Sequence, residues 1–281
     1  MSNPALSKNP AFSGKTLTAE ELNRIYNQPA AETNRPGVDA AATAAAGVAA
    51  ANRLGPGAPD EGGSAQPMTY ENTISKTVFL FILVVVGAGI GWWMPILMIP
   101  GAIVGLVLGL INAFKKEPSP ALIIGYAAAQ GLFLGGISMI YDARFDGIVM
   151  QAILGTFSVF AVTLLLFRSG KVRTSPRMNK IFFVAMGGYL LFSLLNFGLM
   201  IFGVVTNPFG LRSGWIGLAI GVIAVLLAAY SLVMDFEFVK NGVERRVPEK
   251  WGWSAAFGIV VTLIWLYLEI LRILAILRGS N

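Results

Sequence analysis

The chain contains neither cysteine nor histidine. Without cysteine there is no disulfide, no thiol nucleophile and no thiolate metal site. Without histidine the commonest general base, the commonest metal ligand and the side chain that normally titrates near neutrality are all missing. Any pH response must therefore come from carboxylates. Charge is also scarce: Asp, Glu, Lys and Arg make up 13% of the 281 residues, against about 25% in soluble domains. No G-x-G-x-x-G after a strand, Walker loop, G-x-S-x-G or HExxH occurs. So little catalytic apparatus points away from an enzyme. No charged-then-apolar-then-A-x-A pattern opens the chain, so no cleaved signal peptide is expected.

What is abundant is apolar. Hydrophobic residues make up 55% of the chain and the net charge is +6. This is the balance of an integral membrane protein. The positive surplus sits in short loops between apolar runs, so it is read as topology rather than as a nucleic-acid surface.

Residues 1–73 differ from the rest. They are rich in Ala, Pro, Gly, Asn and Glu and hold no run long enough to span a bilayer. TLTAEELNRIYNQ (16–28) has the pattern of a short capped helix, AATAAAGVAAANRL (41–54) that of a transient one, and the remainder reads as a disordered cytoplasmic tail. From residue 74 to 281 apolar stretches alternate with polar loops. Given about 20 residues per crossing, the sequence predicts seven spans: 75–94, 96–114, 120–141, 147–167, 181–204, 214–239 and 252–276. The 77–114 stretch is too long for one crossing, and WWMPILMIPG, with Pro95 and Pro100, is the natural place for a hairpin.

Twelve basic residues fall on one side: Lys76, Lys115, Lys116, Arg168, Lys171, Arg173, Arg177, Lys180, Lys240, Arg245, Arg246 and Lys250. Three, Arg144, Arg212 and Arg278, fall on the other. The positive-inside rule puts the twelve in the cytoplasm, with the N-terminus inside and the C-terminus outside. Trp92, Trp93 and Trp215 then mark the outer interface and Trp251 and Trp253 the inner one, with Trp265 alone mid-helix.

The glycine pairs GAGIG (87–91), GGIS (135–138) and GGYL (187–190) read as close helix packing rather than phosphate loops. The intramembrane polar set is short: Asn112, Gln130, Asn196, Asp235, Glu237, Thr262, Glu269 and Arg272. Asn112 and Asn196 suit inter-helix hydrogen bonds. Gln130 suits either such a bond or a cavity lining. Glu269 and Arg272, three apart, share a helix face and form either a self-neutralising ion pair or a pore-lining pair. Glu237 lies close enough to the cytoplasmic end to pair with Lys240. Asp235 lies about 10 Å inside by helical rise, with no basic residue expected at its depth. A carboxyl there is protonated, hydrated or occupied by a cation, or is hydrogen-bonded to backbone or Ser/Thr. It is the leading functional candidate and the candidate calcium contact.

YSLVMDFEFVKNGV (230–243), WGWSAAFG (251–258), WLYLEILRIL (265–274), AAAQGLFLGGISMIY (127–141) and the Ala152, Thr156, Phe160 helix together resemble the Bax inhibitor family, the transmembrane Bax-inhibitor-motif proteins. The resemblance covers about 70–280. It implies an all-α seven-helix bundle with the last helix central, and a pH-sensitive calcium leak gated by two aspartates that share a proton. Asp235 matches the first. The position of the second, ten residues before Arg272, is Thr262. A threonine cannot supply the like-charge coupling through which two carboxyls share a proton, and Glu269, seven residues further outward, is not an obvious substitute.

The expectation is a multi-pass protein of the cell's inner (cytoplasmic) membrane, without cofactor and without nucleic-acid partner. It is read as a passive leak for calcium or other cations. Asp235, Glu237, Thr262, Glu269, Arg272 and Gln130 are the candidate pathway or gating residues. The alternative is a non-conducting scaffold or stress regulator that works through the tail and basic loops. An intramembrane enzyme is the weakest reading.

Overall fold

The computed structural model describes residues 66–279 other than 206 and 208. The two short helical patterns expected in 16–28 and 41–54 lie outside these. The described chain is helical: α1 (Tyr70–Trp93), a single 3-10 turn (Pro95–Leu97), α2 (Met98–Phe114), α3 (Pro120–Asp142), α4 (Ile148–Arg168), α5 (Pro176–Ile201), α6 (Gly214–Glu244) and α7 (Trp251–Gly279). All seven α-helices are long and apolar enough to cross a membrane, with mean hydropathy from 1.6 to 2.5. The hairpin falls at Pro95, where the missing amide hydrogen ends α1 and the 3-10 turn reverses the chain.

Two helices start before their apolar windows because polar caps extend them. The Thr69 side chain accepts from the Asn72 amide at 3.2 Å and starts α1 five residues earlier than the apolar pattern. Ser175 does the same for α5, accepting from the Met178 amide at 3.2 Å, with Pro176 at the first helical position. At 31 residues, α6 is about 46 Å long by rise. That exceeds a hydrocarbon core of about 30 Å, so its ends project.

The segment before α1 also corrects the boundary expected at 73/74. Met68 is 2% exposed, packed among residues of α6 and α7. Its amide donates to the Val247 carbonyl at 2.8 Å, and the Glu249 amide donates to the Gln66 carbonyl at 2.7 Å. Residues 66–73 thus belong to the bundle. One apolar side chain in a polar stretch was too weak a pattern to reveal this.

The α7 helix packs against α6, α1, α4 and α3. Over its most apolar window 56% of residues are buried, against 50% for α3, 11% for α2 and 6% for α5. A helix apolar on every side yet this covered is shielded by protein rather than lipid. The α1–α3 contact is the closest kind. A Cβ added at Gly131 would stand 2.9 Å from the Gly87 Cα, and one at Gly87 would stand 2.9 Å from the Ala128 carbonyl oxygen. GAGIG and GGIS therefore act as packing surfaces. GGYL does not: nothing lies within 4 Å of a Cβ at Gly187 or Gly188, because α5 is the least covered helix.

The start of α1, the α2–α3 loop and the α6–α7 loop are tied together at one end of the bundle, and the Glu237 side chain near the end of α6 accepts the Thr174 amide of the α4–α5 loop at 2.9 Å. Lys76 pairs with Glu249 and Lys250 with Glu117, both at 3.0 Å, while Lys240 pairs with Glu244 at 3.6 Å. The three basic loops thus lie at one end of the bundle.

Candidate functional site

Two polar clusters line one face of α7. The first is Asp235. On α6 the row Gly221, Ala224, Ala228 and Leu232 is buried, and its small members bring the α7 backbone close. Asp235, nine residues before the end of α6, continues that side of the helix toward the basic end. Thr262, 4% exposed, donates its hydroxyl to Asp235 Oδ2 at 2.8 Å. The Ser231 hydroxyl, one turn before Asp235, lies 3.2 Å from Thr262 Oγ1. Since Thr262 gives its proton to Asp235, Ser231 donates to Thr262. Asp235 Oδ1 rests against Gly258: a Cβ there would stand 2.7 Å from it, so only glycine leaves room for the carboxylate. No Lys or Arg lies within 4 Å of Asp235 among the described residues. It is a half-buried carboxyl met by one hydroxyl, that of Thr262, and by no cation.

Glu237 is in a different place, as two positions of separation on a helix require. It does not hold Lys240, which pairs with Glu244. Its Oε2 accepts the Thr174 amide at 2.9 Å. Glu237 thus pins the α4–α5 loop, whose orphan backbone donor outcompetes a lysine free to reach water. Arg173 of the same loop stacks on Phe167, its guanidinium carbon 4.7 Å from the ring centroid.

The second cluster lies toward the other end. Thr262 and Glu269 are seven residues apart, about 10 Å by rise and nearly on one face. Glu269 and Arg272 form the local ion pair that their spacing allows. The pair is not isolated. Arg212 NH1 stands 3.9 Å from Glu269 Oε1. The Tyr189 hydroxyl donates to Glu269, and Trp265 Nε1 donates to it at 3.4 Å. Arg212 also donates to the Tyr189 hydroxyl at 3.1 Å and to the Ser193 hydroxyl. Its guanidinium carbon is 4.9 Å from the Tyr189 ring centroid and 5.6 Å from that of Phe192. Glu269 is 5% exposed and Arg272 9%. Two guanidiniums thus enclose one carboxylate away from water.

Arg212 is the member of this cluster that the sequence did not bring to it. It reads as an ordinary charge in a short outer loop, but the loop folds back. Asn196 Oδ1 accepts the Leu211 amide at 2.6 Å, and Asn196 Nδ2 donates to the Phe209 carbonyl at 3.4 Å. Asn196 therefore secures a loop rather than another helix. Gly217, which lacks a Cβ, lets the Arg212 carbonyl lie on the first turn of α6. The signal that was available is the pair Glu269–Trp265: a carboxylate beside a mid-span tryptophan calls for further donors.

Gln130 joins neither cluster. Its side chain lies against Gly105 of α2, where a Cβ would stand 2.8 Å from Nε2. Asn112 turns back on its own helix, donating to the Leu108 carbonyl at 3.0 Å, because α2 has little cover to offer a partner. Elsewhere, a cavity of about 450 Å³ lies among α1, α3, α4 and α7. It is apolar apart from Thr156 and the Ser138–Tyr267 hydroxyl pair, 2.6 Å apart. Asp235 does not line it.

Among the described residues no group of three or more Asp or Glu could enclose a metal ion. The site's chemistry is that of one conditional carboxylate in a hydroxyl setting. A comparison with curated proteins finds no match. The family described as Bax inhibitor 1 like matches residues 3–279, a longer stretch than the 70–280 that carried the resemblance. Seven apolar helices and that match agree, and the chain belongs to the Bax inhibitor 1 like family.

Proposed function

We propose that this membrane protein is a passive leak for cations, calcium foremost, in the cytoplasmic membrane, and that it performs no enzymatic reaction. The observation that carries the reading is Asp235: a half-buried carboxylate between α6 and α7 whose partner is the Thr262 hydroxyl, itself backed by the Ser231 hydroxyl, with no cation beside it. An ionised group so placed draws a cation, and Ser231 and Thr262 supply further oxygen ligands of the kind calcium accepts. The high coverage of α7 supports its place at the centre of the bundle. The gathering of twelve basic residues at one end supports a cytoplasmic N-terminus and an outer C-terminus. Reporter fusions after Lys116, Asn179 and Asn241 score cytoplasmic on this reading, and one after Asn281 scores external.

The test is calcium and monovalent flux into liposomes holding the purified protein, with Asp235→Asn beside wild type. Asparagine is nearly isosteric and removes only the charge. Flux equal in the two proteins across about pH 5 to 8 removes Asp235 from the pathway. One feature favours a scaffold reading: Lys115, Lys116, Arg245 and Arg246 are exposed at the basic end, an open surface for acidic partners. Absence of any flux, with a partner captured by residues 1–73, supports the scaffold instead.

A further inference from the structure

The segment 209–213, which leads into α6, does more than connect helices. It is anchored to α5 at Asn196 and folds inward, so that Arg212 lies between α5 and α7 instead of at the surface. Gly210, at φ +62°, makes the turn that brings it there, and a Cβ at that position would meet the Asn196 side chain. Arg212 then bridges three elements: Tyr189 and Ser193 on α5, Glu269 on α7 and its own lead into α6. The bridge sits on the same face of α7 as Thr262 and two turns beyond it. The bridge therefore lies further along α7 from the basic end than the Asp235–Thr262 contact.

We propose that the segment 209–213 is the outer gate of the cation pathway and that Arg212 is its latch. The inference rests on the leak reading of Asp235. Closure works in two ways. The guanidinium, tyrosine and phenylalanine rings fill the space between α5 and α7. The cluster also holds two guanidiniums against one carboxylate, so a cation leaving Asp235 outward meets a surplus positive charge in a low-dielectric setting. Several features suit a part that moves. The latch is carried by a loop, and α5, which receives it, is the least covered helix. The Nε atoms of Arg212 and Arg272 are buried without a hydrogen-bond partner. Such a cluster is incompletely satisfied when closed, which lowers the cost of leaving that state. Opening frees Arg212 toward water while Arg272 keeps Glu269 paired, so no carboxylate is stranded.

The test uses flux in liposomes. Arg212→Gln removes the charge and the fork that grips Glu269, and is expected to raise cation flux about tenfold, the effect of losing one charge-assisted hydrogen bond from the closed state. Arg212→Lys, a point charge without the fork, should fall between. Because the chain has no cysteine, Asn196→Cys with Leu211→Cys places the only two thiols at the loop anchor. Its oxidised form should conduct no more than wild type, and reduction should raise flux. Disulfide formation itself reports that the loop is in place. Equal flux in the oxidised and reduced forms overturns the gate while leaving the leak intact. The double variant Asp235→Asn with Arg212→Gln separates the two ideas. Flux that rises with Arg212→Gln but ignores Asp235→Asn keeps the gate and overturns the Asp235 pathway. No flux from any of these proteins overturns both.

Discussion

The hydroxyl of Thr262 donates to Asp235 Oδ2 at 2.8 Å, joining α7 to α6 at the position where the resemblance calls for a second aspartate. A proton-sharing pair of carboxyls is thus replaced by a carboxyl and a hydroxyl in hydrogen-bond contact. The contact keeps the geometry of a link between the two helices and removes one of its two titrations. Thr262→Val should leave Asp235 and Ser231 short of a partner and lower stability by about 0.6–2 kcal/mol, while Thr262→Ser should keep most of it. Thr262→Asp should turn a site with one titrating group into a coupled pair. Flux against pH should then show two steps where wild type shows at most one. A single unshifted profile in Thr262→Asp would mean that the two side chains do not meet in the membrane.

The seven crossings, the hairpin at Pro95 and the sharing of one end by the basic loops were legible because each rests on run length, proline or loop charge. The meeting of Asp235 with Thr262 was legible only through the resemblance. A threonine on an apolar helix carries no signal of its own. Arg212 was illegible for a different reason. Charge patterns assume that a loop residue faces water, and an inward fold depends on Asn196, Gly210 and Gly217 acting together over three separate segments. The same assumption sent Glu237 to Lys240 when a backbone amide held it. Three glycine pairs looked alike in sequence, yet only the two between α1 and α3 face another backbone.

That difference among glycines is measurable. Gly131→Leu forces a branched side chain against the Gly87 backbone, and no flexible side chain is there to give way. Overpacking of this kind costs about 1–3 kcal/mol and sometimes more. Gly187→Leu and Gly188→Leu add their side chains to open space on α5. Their midpoints in detergent should match or slightly exceed wild type, since leucine is the better helix former. A loss at Gly188 equal to that at Gly131 would show that α5 has a backbone partner in the membrane.

Met68 tests where the bundle begins. Removing residues 1–64 leaves Met68, its bond to Val247 and the Gln66–Glu249 contact in place, so the thermal midpoint should stay near that of the full chain. Removing residues 1–73 deletes all three, together with the Thr69 cap. Met68→Ala alone should cost about 2–5 kcal/mol by the usual cost of emptying a buried methionine site. Equal midpoints for the two truncations would place the boundary back at residue 73.

The last expectation concerns acid. Glu249 lies in the loop before α7. The Asn72 side chain and then Lys76, both bonding its carboxylate, hold its pKa below the ordinary value of 4.5. A carboxyl whose folded value is depressed binds fewer protons folded than unfolded near that pH. Its stabilising contribution is therefore fully present above the unfolded value and is lost as pH falls through the folded one. The group is 36% exposed, so water screens it and the contribution belongs with surface pairs, about 0–1 kcal/mol. Wild type should melt above Glu249→Gln at neutral pH, by a margin that shrinks with added salt. The margin should close as pH falls from the ordinary value of 4.5 through the depressed one, where the carboxyl takes up its proton and both side chains are neutral. A margin that persists unchanged in acid would show that the effect of Glu249 does not come from its charge, since the backbone contacts with Gln66 and Lys76 are kept in both proteins.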